Sequence, residues 1–124
     1  MLSHLVEGFL IAVIFALAHI VEETQFPLPD KDGYVNTNWA IHQMYTTADF
    51  GRRSTLTRFF TGGLNFQIEH HLFPEICHVH YPAISELVRE KALEFNLPYN
   101  DNTTFWSAVK SHTRLLKKLG AVDV

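Results

Sequence analysis

The chain has a single cysteine, Cys77, among 124 residues. No intrachain disulfide can form, and a lone thiol is compatible with a reducing compartment. Its expected place is that of a small buried hydrophobe. Basic charge is scarce too: ten Lys and Arg against 13 Asp and Glu leave a net charge of −3, which excludes the electrostatic footprint of a nucleic-acid binder. No internal repeat or low-complexity tract is present, so repeat architectures are excluded. The start has no basic region and Glu7 interrupts the first apolar run, so no cleavable signal peptide is expected. A free-standing membrane span needs about 20 apolar residues, and the apolar stretch 8–21 supplies only fourteen without a formal charge.

Apolar and aromatic side chains are plentiful. Hydrophobic residues make up 47% of the chain, with ten phenylalanines, which is rich for a small soluble protein. A mean hydropathy near zero nevertheless shows that the chain is not embedded in a membrane throughout. The length allows one domain at most, or part of one. Residues 9–17 are apolar all round, which suits a helix in lipid or one packed on every side. Of the two, the end of a transmembrane helix is the expectation adopted. His19 closes that helix, and an ionisable residue at such a depth commonly marks function. Glu22 and Glu23 follow, either as partners of an imidazole N–H or as solvated acids at a helix end.

Further along, 26–33 reads as a loop with two prolines and a turn. Residues 36–47 read as an amphipathic helix, with Trp39 and Tyr45 suited to a membrane interface. Arg52, Arg53 and Arg58 argue for the cytoplasmic side and could meet anionic headgroups or an acyl carrier's phosphates. Ser54 or Thr55 is expected to cap a short helix that leads into Gly62 and Gly63, where the backbone can turn and approach closely. His78 and His80, if extended, would share one side of the segment. Residues 83–95 read as an amphipathic helix with Ile84, Leu87, Val88, Ala92 and Phe95 in its stripe, ending near Asn96. Thr103 or Thr104 would cap a last helix running to Leu119, with Phe105, Trp106, Val109, Leu116 and Leu119 as its apolar residues and Gly120 closing it.

The densest chemistry lies in residues 62–74. On a helix Gln67, His70 and His71 fall on one face, since i, i+3 and i+4 are neighbours. Two imidazoles and a carboxamide aimed at one spot suit iron, copper, nickel or zinc. Leu64, Ile68 and Leu72 flank that face and could exclude water. Pro74 ends the helix soon after the histidines. The bland alternative is that the pair is a surface or core feature of a chain with eight histidines.

Gln67-Ile68-Glu69-His70-His71-Leu72-Phe73-Pro74 closely resembles the third histidine box (Q-x-x-H-H) of membrane fatty acid desaturases. The likeness is greatest to the acyl-lipid and front-end branch, where glutamine replaces the first histidine. Phe59-Phe60-Thr61-Gly62-Gly63-Leu64-Asn65-Phe66 continues it, and His19 resembles the histidine with which the family's last membrane helix completes the metal shell. The stretch from Trp39 through Gln43 to Thr46-Thr47 is also similar, which brings His42 and Gln43 near the site by analogy; where relatives often carry Asn after the Thr pair, this chain has Asp49.

The resemblance implies an all-α fold: the C-terminal part of a membrane-embedded helical desaturase, with a partial transmembrane helix and cytosolic amphipathic helices. Residues 1–25 would be the end of the membrane helix, 36–74 the histidine-box region and 75–124 a cytosolic helical tail, the last two on the cytoplasmic side. It implies a diiron centre that activates dioxygen to make a cis double bond, with His70, His71 and His19 as ligands and Gln67, His42 and Glu23 as further candidates. Cytochrome b5 or ferredoxin would supply electrons, and the substrate would be an acyl lipid, acyl-CoA or acyl carrier. The upstream boxes H-x-x-x-H and H-x-x-H-H are absent. The expectation is therefore a chain that is inactive alone. Three alternatives stay open: part of a related membrane diiron hydroxylase; a small non-catalytic membrane-attached helical protein with a mononuclear zinc or iron site, zinc being feasible on His19, His70 and His71; and a remnant that only packs against membrane.

Overall fold

A computed structural model describes residues 1–35 and 37–121. It contains six α-helices: α1 (Leu2–His19), α2 (Trp39–Thr46), α3 (Thr55–Thr61), α4 (Gln67–Leu72), α5 (Tyr81–Glu94) and α6 (Phe105–Gly120). Two-residue strands β1 (Asp49–Phe50) and β2 (Asp101–Asn102) pair in parallel, with Asp49 opposite Asp101. The mostly helical architecture agrees with the all-α reading. The expected start of α2 at Asn36 lies outside the described residues; Asn38 caps the helix instead, its side chain accepting from the Ala40 N–H.

The 18 residues of α1 rise about 27 Å, close to the hydrocarbon thickness of a bilayer. It is long and apolar enough to cross a membrane, and only 11% of it is buried by the rest of the chain. Leu2, Phe9 and Leu10 are all exposed. The helix dips into protein only at its end, where Leu17 and Ala18 pack with Phe50 and Ala108. There Ile20 leaves the helical region, and the Thr24 hydroxyl donates to the His19 carbonyl at 2.9 Å, satisfying one of the oxygens left over at the C-terminus.

Helix α6 locks onto that end. It opens with a capping box: Thr104 Oγ1 accepts from the Ser107 N–H at 3.0 Å and Ser107 Oγ accepts from the Thr104 N–H at 3.0 Å. The Glu22 carboxylate accepts from Arg114 and Lys118, and His112 Nδ1 lies 2.6 Å from the Ile20 carbonyl. Of the apolar residues read in α6, Phe105 and Val109 pack against the first core. Trp106, Leu116 and Leu119 are exposed, and the buried face is Ala108 and Ser111, because small residues let α6 approach the tip of α1 closely.

A second core joins Met44, Ile68 and Ala92, with Leu72, Val88, Leu97 and Tyr99 packed against it. Within α5, Leu87 and Phe95 of the expected stripe are exposed. Asn96 stops α5 as predicted, in the left-handed region at φ 53°. His78 and His80 are not extended: they form a single 3-10 turn that feeds α5, where Pro82 sits in the first turn, so the two rings do not share a side. Cys77 is exposed, not buried, because its loop runs outside both cores. Gly120 is the last residue of α6, and Ala121 follows in the right-handed region; the glycine does not act as a left-handed stop.

Candidate metal centre

The histidine helix is fixed from below before any metal is considered. Ser54 Oγ accepts from the Thr57 N–H at 3.1 Å and starts α3. Gly62 and Gly63 end it at φ 59° and 85°, and a Cβ on Gly63 would stand 2.7 Å from His78 Cβ, so the reversal needs glycine on both counts. Asn65 then ties the loop to β1. Its Nδ2 donates to the Phe50 carbonyl at 3.1 Å, its carbonyl accepts from the Phe50 N–H at 3.0 Å, and its Oδ1 accepts from the Thr61 hydroxyl at 3.0 Å.

Helix α4 begins on Asp49, whose Oδ1 accepts from the Ile68 N–H at 3.0 Å. This is an N-terminal cap supplied from 19 residues away. Beside it the fully buried Glu69 faces the same way, and the Tyr99 hydroxyl lies between them, 2.8 Å from Asp49 Oδ2 and 3.0 Å from Glu69 Oε1. Burial, and then the neighbouring Glu69 charge, push the Asp49 carboxyl well above its ordinary range; burial raises Glu69 as well. Each enclosed carboxyl opposes the ionisation of the other. Arg52 closes the cluster, its guanidinium 5.2 Å from the centre of the Tyr99 ring.

On the opposite face of α4 the predicted residues converge. The His19 and His71 rings meet edge to face, 5.0 Å between centroids. Gln67 Nε2 lies 3.2 Å from His19 Nε2 and 3.4 Å from His71 Nε2. The outer nitrogens decide the protonation. His19 Nδ1 is 3.2 Å from the Thr46 carbonyl, which only accepts, so Nδ1 carries the hydrogen and Nε2 has the lone pair. His71 Nδ1 is 2.8 Å from Gln43 Oε1 and follows the same rule. Gln67 therefore presents its NH₂ to the two lone pairs. Its Oε1 is left buried and without a partner.

Burial, with His19 and His70 alongside, lowers the His71 pKa to about 4. The imidazole is neutral at pH 7, as a metal ligand must be. These are two oriented imidazoles, that of His71 neutral, and an unused carboxamide oxygen. Their donor chemistry fits iron, and they fit a corner of a site more than a whole one. Among the described residues no group of three His, Cys, Asp or Glu side chains could hold a metal ion.

Of the other candidates, His70 stands beside His71, while His42 and Glu23 form no hydrogen bond with the His19–His71 pair. His70 Nδ1 is 3.4 Å from the Tyr81 hydroxyl, and its ring stands perpendicular to that of His71 at 5.8 Å. His42 Nδ1 is buried without a partner. Glu23 turns to the other side of α1, accepting from Ser111 Oγ at 2.7 Å and Asn102 Nδ2 at 3.3 Å. Sequence reasoning put Gln43 near the site without its contact to His71, and gave no role to Asp49, Glu69 or Tyr99. An apolar position filled by Glu69 inside Gln-Ile-Glu-His-His was the one signal that a buried partner had to exist.

The family model for fatty acid desaturases matches residues 1–103. The chain is 46% identical over 121 residues to an acyl-lipid (8-3)-desaturase of Physcomitrium patens, covering 98% of this chain and 25% of that one. It is 40% identical over 119 residues to an sn-1 linoleoyl-lipid 6-desaturase of Synechocystis sp., covering 95% and 33%. An acyl-lipid (8-3)-desaturase of Mortierella alpina is 40% identical over 118 residues, covering 95% and 26%. The chain thus spans about a quarter to a third of the length of these relatives. No solved structure matches it. With Gln67, His70 and His71 carried on α4 as described and these matches over nearly its whole length, the chain belongs to the fatty acid desaturase family, on the acyl-lipid, front-end branch.

Proposed function

We propose that this chain supplies one corner of the iron site of a membrane desaturase that introduces a cis double bond into an acyl lipid. The carrying observation is the pair of Nε2 lone pairs on His19 and His71, both aimed at Gln67 and both set by acceptors on their outer nitrogens. Iron bound there would supply the activation of dioxygen that removes hydrogen from an unactivated C–H bond. Two irons need more ligands than this chain brings, so the polypeptide alone is inactive and the remaining histidines come from elsewhere in the whole enzyme.

The chain's own residues have three tasks. His19 and His71 hold the metal as neutral imidazoles, and Thr46 and Gln43 keep each Nδ1–H engaged so that Nε2 stays a ligand. Ile68 and Leu72 keep α4 seated against apolar side chains, while Phe15 stacks on His19 with 6.3 Å between centroids; these contacts limit water at the site. Helix α1 delivers His19 at the membrane boundary, as the last part of a transmembrane helix over residues 1–25. The region 36–74 then forms the histidine-box segment and 75–124 a cytosolic tail. The arginines at 52, 53 and 58 support a cytoplasmic placement of both. Exposed Lys110 and Lys117 give an acidic electron donor, cytochrome b5 or ferredoxin, a surface to approach.

The test exchanges this segment for the matching quarter of the Physcomitrium patens relative and analyses the acyl lipids of cells expressing the hybrid. A new alkene supports the proposal. An alcohol instead would assign a hydroxylase, and no product from a stably expressed hybrid would refute the reading.

A further inference from the structure

Two cavities with none of the eight histidines in their walls share lining residues. The first is apolar, about 770 Å³, and runs between α1, α3 and the start of α6, with Leu10, Ile14, Phe60 and Trp106 in its wall. The second is a polar cleft of about 210 Å³ lined by Arg52, Arg53, Ser85 and Arg89. Arg53 and Thr103 belong to both walls, so the apolar groove and the arginine-lined cleft, which also holds Glu86 and Asp101, adjoin there. Phe15 and His19 lie roughly opposite Leu10 and Ile14 on α1 at 100° per residue. The groove is thus separate from the metal centre.

The charges in the cleft are unequal. Arg52 is neutralised by Glu86 at 2.7 Å and Asp101 at 3.1 Å. Arg53 and Arg89 are exposed and form no ion pair with any described residue. Two free guanidiniums at the mouth of an apolar groove match a molecule with a phosphate at one end and a hydrocarbon chain at the other, since guanidinium binds phosphate through paired hydrogen bonds. We propose that an anionic membrane phospholipid binds here, its headgroup phosphate between Arg53 and Arg89 and one acyl chain along α1 beside Phe60 and Trp106. The site would fasten α3 and α6 to the bilayer surface independently of iron.

The chain has two tryptophans, and only Trp106 lines the groove. In a Trp39→Phe background, placed in phosphatidylcholine nanodiscs, Trp106 emission reports chain-brominated lipid at the site. Brominated phosphatidylglycerol is expected to quench at a several-fold lower mole fraction than brominated phosphatidylcholine. Each of Arg53→Gln and Arg89→Gln should reduce that preference by about fivefold, the effect of one cation near an anionic surface. Arg58 lines a different cavity, beside His78, so Arg58→Gln should leave the preference within about twofold, far below the fivefold of a cleft arginine. Circular dichroism confirms the fold of each variant. Equal quenching by both lipids overturns the proposal. So does an equal loss on Arg58→Gln, which would show general surface attraction, or no quenching at all, which would show the groove covered by protein.

Discussion

Gln43 holds the tautomer of His71, and removing it should move a proton. The contact is 2.8 Å from Oε1 to Nδ1. Replacement by Leu keeps the volume and helical preference but leaves the Nδ1–H without an acceptor. An unpaired buried donor costs about 1–3 kcal/mol; the ring keeps some solvent contact, so the lower half of that range applies, about 1–2 kcal/mol. The alternative tautomer has somewhere to go, because Gln67 Oε1 is buried with no partner and an amide rotation brings it towards His71 Nε2. The tautomer ratio should therefore shift by about tenfold towards Nε2–H. Nitrogen-15 NMR of the histidine rings, in the intact chain in detergent, reads which nitrogen is protonated. In the wild type His71 should show Nδ1–H; in Gln43→Leu the Nε2–H to Nδ1–H ratio should rise about tenfold, and in that tautomer Nε2 offers no lone pair to a metal. An unchanged Nδ1–H signal in Gln43→Leu refutes the assignment of Gln43 as the residue that orients His71.

Other outcomes follow from the same contacts. His71 should stay unprotonated at pH 5 in an NMR titration. Its folded pKa of about 4 is below the unfolded 6.5, so the unfolded chain takes the proton first, and stability present above about pH 6.5 is lost as pH falls towards 4. The full linkage would be about 3 kcal/mol, reduced by solvent contact to about 1–2 kcal/mol. Asp49→Asn keeps the acceptor for the Ile68 N–H and removes one of two buried acids, so thermal unfolding should change by less than about 1 kcal/mol or favour the variant. Asp49→Ala strands that N–H while the Tyr99 hydroxyl keeps Glu69 Oε1 as its acceptor, and should cost about 1–3 kcal/mol; equal effects of Asn and Ala would dismiss Asp49 as the cap of α4. Gly63→Ala meets His78 Cβ at 2.7 Å with φ at 85°, and should lower stability by about 1–3 kcal/mol.

Local rules made several elements legible beforehand. Apolar residues on every side of 9–17 announced α1, the hydroxyls of Ser54 and Thr104 marked two helix starts, and Asn96 marked a stop. Helical spacing alone put Gln67 and His71 on one face. That His70 turns to Tyr81 while His71 turns to His19 was not legible, because α5 and α1 decide between two adjacent rings from 11 and 52 residues away. Long-range pairing also hid the Asp49–Tyr99–Glu69 cluster and the Gln43 contact. The errors at Cys77 and at His78 and His80 share one cause. An apolar or alternating pattern gives burial or extension only where a neighbouring element covers it, and no element covers this loop.

The most direct measurement is the iron content of the purified Physcomitrium patens hybrid, beside its His19→Ala and His71→Ala variants. Two irons per chain in the parent hybrid, and loss of at least one in either variant, is the expected result. Full iron loading in both variants would contradict the central claim that these two imidazoles hold the metal.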